Sequence, residues 1–401
     1  MKLLRVDIIG AALFSQRISI CLNTSKGVRS AATFSEHDMP AYKIKPGIYT
    51  QVMLGLVGLN ATGKTTVLEL LSLVLSVLYA DNRLNSDNAS KILRKVMSDS
   101  QKSLAWEIYF LNENRIYCLK ANIGYDEKSG RFFYQDENIW VRNLSGTSGS
   151  NIFEWKFYQK VLARSEEAKK SKYLKDDASI VMSVNSNEVF VASLIKTVNF
   201  NLPYWSGRPD QDLIKCFDPS IEELDISKAD DDSNSPQVTI KFLRDKKERH
   251  SQVGSVVEMI SSGTIKGLSI LPIVMRALST GGYVIMDELE NHINKKIVEW
   301  LLGLFEDKRT NPYGACLIFS THYPELLDSF RRNDNIYVTL RDENNVLQCG
   351  RFCEYPSVGR NELSKSRIIL SNVIKGTAPK SRLLQAAKQR VMQKVAEISN
   401  G

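Results

Sequence analysis

An α/β fold is what the sequence predicts, and three stretches carry that prediction. The run "YTQVMLGLV" reads as a buried strand; the glycine-rich "GLNATGKT" (58–65) follows it, and "TTVLELLSLVLSVL" then repeats apolar residues at helical spacing. "YVIM" reads as a second apolar strand and runs into Asp287 and Glu288, while "GACLIFSTH" reads as a third and ends on Ser320, Thr321 and His322. Polar groups gathered at the carboxyl ends of such strands stand where open α/β sheets collect their ligands.

Composition narrows the class. The chain of 401 residues is 43% hydrophobic and 24% charged, ordinary for a globular protein with one large domain or two medium ones. Its longest apolar run, Val67 to Ala80, is interrupted by Glu69 and is too short to cross a bilayer. Arg5, Asp7 and Arg17 break the apolar pattern of the N-terminus, so neither a secretory signal nor a membrane partner is expected. Six scattered cysteines read as reduced thiols, which points to the cytoplasm. Cys349 and Cys353 lack a second pair or nearby histidines, so no metal site is expected there. A net charge of +8 permits an acidic partner such as DNA and serves solubility equally well.

The first stretch carries phosphate chemistry. Gly58, Gly63, Lys64 and Thr65 satisfy G-x-x-x-x-G-K-[ST], in the strand–loop–helix setting that the motif requires. Glycines let the backbone curl so that N–H groups face phosphate oxygens, and the helix N-terminus adds partial positive charge. The expected cradle for ATP is Gly58, Leu59, Asn60, Ala61, Thr62, Gly63, Lys64, Thr65 and Thr66. Lys64 is expected to reach the β- and γ-phosphates, and the Thr65 hydroxyl to take one position on Mg²⁺. At the second strand end, Asp287 suits the Mg²⁺ shell and Glu288 the activation of water. At the third, a neutral His322 imidazole suits a hydrogen bond to the γ-phosphate. Before the apolar helix of "MISSGTIKGLSILPIVMRAL", Ser261, Ser262 and Gly263 read either as a plain helix cap or as a second anion site.

Taken together, the P-loop, the "ISSGT" segment, "MDE" and the histidine resemble, in content and order, the ABC-type ATPases. "ISSGT" in place of the transporter form L-S-G-G-Q, with "DELENHIN" after the acidic strand end, resembles the soluble ABC ATPases grouped with the overcoming-lysogenization-defect nucleases and bacterial phage-defence ATPase subunits. "FDPSIEELDI" and "RNELSKSRIILSNVIKGTAPKSR" are similar to that group as well. The resemblance implies an ABC-type head: a mostly parallel core sheet, an antiparallel β subdomain and an inserted, mainly helical lobe. It also implies a homodimer or higher oligomer closed around ATP, with Ser261, Ser262 and Gly263 of one copy facing the P-loop of another. A separate effector, a nuclease or toxin, is the implied partner, since the residues after His322 are too few for a nuclease domain of the related kind. A RecF-like DNA clamp for repair or recombination is the alternative, with DNA as a possible partner; a transporter motor fits the altered signature poorly. The glutamine that meets Mg²⁺ in ABC proteins has no clear position.

Four segments follow in order. Residues 1–80 form the N-terminal half of the head, with strands around "LLRVDIIGAALF" and "RISICLNT" before the P-loop. Residues 81–235 are the inserted lobe with its β subdomain, carrying strand-like "LAWEIYFL" and "RIYCLKANIGY", the helical "SEEAKKSKYLKDD" and the acidic loop "KADDDSNSP". Residues 236–345 carry the signature helix, the acidic strand end and the histidine. Residues 346–401 form a basic helical tail in which Lys365, Arg367, Lys375, Lys380, Arg382, Lys388, Arg390 and Lys394 read as a solvated face before a docking surface. No heptads long enough for a coiled-coil arm occur, and no C-x-x-C hook.

Overall fold

The computed structural model describes all residues except 15–16, 26–34, 81–82, 98–102, 171–173, 185–188, 196–207, 228–236, 253–254, 256–257, 343, 359–362 and 400–401. The acidic "KADDDSNSP" segment lies outside the described residues.

In chain order, β1 (Lys2–Ile9) and β2 (Ile18–Cys21) pair antiparallel, and β3 (Tyr42–Lys45) and β4 (Ile48–Thr50) form a small hairpin. Then come β5 (Met53–Val57), α1 (Lys64–Tyr79) and α2 (Asp87–Val96). Next, β6 (Ser103–Asn112), β7 (Arg115–Asp126), β8 (Arg131–Asn143) and β9 (Gln159–Ala163) extend the first pair into one antiparallel sheet of order β2-β1-β6-β7-β8-β9. After α3 (Arg164–Lys170) and β10 (Val191–Leu194), a small lobe follows: α4 (Gln211–Phe217), β11 (Ile221–Ser227), β12 (Gln237–Phe242) and β13 (Arg249–Gln252). The chain returns through α5 (Ser262–Thr280), β14 (Tyr283–Met286), α6 (Lys295–Phe305), β15 (Cys316–Thr321), β16 (Ile336–Arg341) and β17 (Leu347–Arg351), and ends in α7 (Lys365–Leu370) and α8 (Ser381–Ser399).

The core sheet runs β10-β14-β15-β5-β16-β17 and is parallel except at its last pair, β16 with β17. The mostly parallel sheet and the antiparallel subdomain are thus as the sequence reading had them. Continuous apolar strands follow from burial on both faces. Tyr283 and Ile285 of β14 face a core shared with α1 and the antiparallel sheet; Val284 and Met286 face another built with α5 and α6. Sandwiched between two sheets, α1 is buried nearly all round, which explains its uniformly apolar sequence. Its Glu69 is neutralised by Lys95 of α2 at 2.6 Å.

The inserted lobe differs in detail from the mainly helical one expected. Among the described residues, 81–235 hold more strand than helix, and a small lobe that runs on past residue 235 holds the three-stranded sheet β11-β12-β13 against α4 and the first turns of α5. It closes over its own small core, in which Ile214, Leu224, Val238, Ile240, Ile265 and Leu268 are buried. Short runs such as "QVTIKF" bury one side only, and so few residues do not separate strand from helix by period. α8 buries no residue.

Candidate functional site

β5 ends at Val57 in the middle of the core sheet, and the loop that follows is set by close contacts. A Cβ on Gly58 would lie 2.2 Å from the Thr339 carbonyl of the neighbouring β16, so only glycine fits. Thr62 donates to the Leu59 carbonyl at 2.7 Å and shares a 2.8 Å hydrogen bond with the Thr339 hydroxyl. Ala61 (φ 59°) and Gly63 (φ 91°) take left-handed backbone, the kind of alternation that turns successive N–H groups inward as an anion nest. Arg341 fixes the first of these turns by donating Nε to the Ala61 carbonyl at 2.9 Å. Gly63 caps α1, and Lys64 opens it. Lys64 Nζ donates to the carbonyls of Gly58 (2.9 Å) and Leu59 (3.0 Å), which holds the ammonium against the loop. Burial lowers its pKa, while Asp287, Glu288 and Glu290 pull the other way.

The carboxylates arrive from β14. Thr65 Oγ1 donates to Asp287 Oδ2 at 2.7 Å, and the buried Ser320 hydroxyl, at the end of β15, donates to Asp287 Oδ1. The same Ser320 oxygen accepts the Glu288 N–H at 2.9 Å. Glu288 sits at φ 48°, a costly conformation for a non-glycine residue that persists where the surroundings dictate it. Its Oε1 lies 3.2 Å from His322 Nε2, and the His322 N–H donates to Glu290 Oε1 at 2.6 Å. A cavity of ≈ 290 Å³ is lined by the P-loop from Ala61 to Thr66, by Asp287, Glu288 and His322, and by Leu13, Arg341 and Leu347. Larger hollows exist, including one of ≈ 630 Å³ beside Arg131 and Asp176, but among the described residues it is this one that joins a phosphate loop to carboxylates and a histidine. The Thr65 hydroxyl with Asp287 is an all-oxygen pair suited to Mg²⁺. Among the described residues no cluster of three or more His, Cys, Asp or Glu could hold a metal, so such an ion would complete its shell from phosphate and water.

The third motif stands apart. Ser261 caps α5 by accepting the Thr264 N–H at 3.1 Å, and neither Ser261, Ser262 nor Gly263 lines the cavity. This helix start rides on the small lobe's core through Ile260 and Ile265. A Cβ on Gly263 would meet the His292 carbonyl at 2.2 Å, so the helix start abuts the turn after Glu288. Lys266 ties the two together, its Nζ donating to the carbonyls of Glu288 (3.0 Å) and Asn291 (2.8 Å).

Sequence reasoning assigned no role to Ser320, Glu290, Lys266 or Arg341. Ser320 had a signal, since it precedes the histidine at a strand end; the others meet their partners only through folding, Arg341 across 280 positions. Among the described residues, no helix is long and apolar enough to cross a membrane.

Comparison with known proteins agrees with this geometry. Residues 53–328 match the family model described as "AAA domain, putative AbiEii toxin, Type IV TA system". Curated proteins yield no match. A solved structure, the crystal structure of the SmcHead bound to the C-winged helix domain of ScpA, is similar over 87% of this chain and 97% of that one, at 12% identity and a TM-score of 0.42. Since the matched span covers well over half of the chain and takes in the P-loop, Asp287, Glu288 and His322, the chain belongs to this AAA-domain family, as an ATPase of the AAA type.

Proposed function

We propose that the chain hydrolyses ATP in a site completed by a second copy, and that the closed dimer controls a separate effector protein. The observation that carries this reading is the continuous network from Thr65 through Asp287 and Ser320 to Glu288 and His322 at the mouth of the P-loop. In it, the loop N–H groups and Lys64 bind the phosphates, and Thr65 with Asp287 holds Mg²⁺. When bound, Mg²⁺ supplies neutralisation of charge on the phosphate oxygens. Glu288 takes a proton from the water that attacks the γ-phosphorus, the bond from that phosphorus to the bridging oxygen breaks and ADP leaves, and His322 orients the carboxylate through its Nε2–H. Ser261, Ser262 and Gly263 act in trans: they line no part of their own cavity, and Ser261 and Ser262 are exposed at a helix start carried on the small lobe's core.

Control of a partner draws support from α8. It exposes Leu384, Val391, Val395 and Ile398 along one stripe, more apolar surface than an isolated 19-residue helix leaves in water without a partner to cover it. The antiphage setting rests on the resemblance carried by "ISSGT", "DELENHIN" and the two further stretches similar to that group, and the cytoplasm on the six cysteines, which are free thiols here.

Two variants test the site. Glu288→Gln keeps shape and hydrogen bonding but removes the base, so ATP should bind, turnover should fall roughly 10²-fold or more, and a dimer should accumulate in light scattering. Lys64→Ala should lose nucleotide and ATP-dependent dimer together. Normal hydrolysis by Glu288→Gln, or a monomer in saturating ATP, would overturn the assignment.

A further inference from the structure

The antiparallel sheet ends in an aromatic and cationic edge that the nucleotide site does not use. The 3-10 turn Trp155–Phe157 leads into the outer strand β9. Trp155 is 42% exposed and Phe157 44%, so each ring keeps part of its surface open to solvent beside the cations that lie over it. The rings are organised rather than scattered. Trp140 of β8 meets Trp155 edge-on at 4.9 Å, and the buried Tyr158 lies nearly parallel to Trp155, 15° apart at 6.0 Å. Cations are threaded among them: Lys120 Nζ is 3.7 Å from the centre of the Trp155 ring, Lys160 Nζ 5.7 Å from Trp140 and Lys156 Nζ 5.0 Å from Phe157. Arg142 backs Phe157 at 4.8 Å while donating to the Asn151 carbonyl, which anchors the turn. Carboxylates stand behind two of the lysines, Glu107 at 3.3 Å from Lys120 and Glu154 at 3.1 Å from Lys156.

Two ordinary readings compete. An outer strand can add a partner's strand, but the register shift at Ile139/Trp140 and the lysine at 160 are devices that blunt such an edge. Cation–ring contacts also stabilise a surface by themselves, yet that role does not require two rings to stay over two-fifths exposed. Flat π faces interleaved with flexible ammonium groups complement a chain that carries both planar rings and phosphates. Duplex DNA hides its base faces in the stack, whereas a single strand offers them.

We propose that this edge binds single-stranded nucleic acid, bases stacking on Trp155 and Phe157 and phosphates meeting Lys120, Lys156 and Lys160. The proposal stands independently of the ATP site.

Fluorescence anisotropy of the full chain with a fluorescein-labelled oligothymidylate, against a duplex of equal length as competitor, tests it. Single strand should bind more tightly than duplex, and tryptophan emission should be quenched on binding. Trp155→Ala should weaken binding by roughly fivefold to a hundredfold, the range for losing one stacked base. Lys156→Gln and Lys160→Gln should each flatten the log affinity against log salt slope by about 0.7. Phe157→Leu keeps apolar bulk without the π face and guards against a folding artefact; it should still weaken binding. Deleting α8 separates this edge from the basic tail and should leave affinity unchanged. Absence of oligonucleotide binding at low salt, full affinity in both Trp155→Ala and Phe157→Leu, or loss of binding with α8 alone would overturn the proposal.

Discussion

Ser320→Ala isolates what aligns the proposed general base. Ser320 is fully buried, donates to Asp287 and accepts the Glu288 N–H at 2.9 Å, yet does not line the cavity. Alanine leaves that N–H without its acceptor and Asp287 with Thr65 but not Ser320 as a donor, a loss of about 2 kcal/mol for hydrogen bonds involving a charged group. The φ of 48° at Glu288 is maintained against a cost of similar size, so the backbone there should relax once the hydroxyl is gone. If that loss falls on the transition state, turnover drops by about 30-fold, at about 1.4 kcal/mol per decade. Because Ser320 does not line the cavity, KM should stay within about a factor of three. Phosphate release at saturating ATP and Mg²⁺, with a melting curve as control, measures both. A kcat within twofold of the parent at an unchanged Tm would refute the idea that this hydroxyl orients Glu288.

Three further outcomes follow from the packing. Gly263→Ala drives a methyl to 2.2 Å from the His292 carbonyl, and the forced shift should cost about 1–3 kcal/mol in urea unfolding; a parental midpoint would show that the helix start has room. Glu306, pushed up to about 7 chiefly by burial despite Arg331, binds its proton more tightly folded than unfolded. Its contribution is therefore full below the ordinary carboxylate range and is lost as pH rises through about 7. Glu306→Gln should thus gain in Tm relative to the parent between pH 5 and pH 8, about the window of that shift, and parallel Tm profiles would contradict it. Truncation before Ser381 removes a helix that buries nothing, so Tm should stay within about 1 °C and ATP turnover should persist; a large fall would mean that α8 packs on the body of the chain.

The parts of the site read from the sequence are those whose chemistry is packed into a few adjacent residues. Gly58, Gly63, Lys64 and Thr65 share one loop, and Asp287, Glu288 and His322 each follow an apolar run whose burial in a parallel sheet is written in its composition. Local turn geometry and continuous hydrophobicity need no tertiary information. What folding alone decided is which strand ends became neighbours. β14 lies beside β15, which brings Ser320 onto Asp287, and β5 beside β16, which brings Arg341 onto Ala61. β1 pairs with β6 across some hundred residues to join the N-terminal strands to the antiparallel sheet, and the pairing of β7, β8 and β9 gathers its aromatic edge from three separate stretches. The strands of the small lobe are equally a tertiary result: β11 and β12, short runs that bury one side, gain a core only because Ile265 and Leu268 of α5 complete it, and β13 joins them through its pairing with β12. Chain order records which groups are present, but long-range pairing is set by the summed burial of faces that no local period encodes.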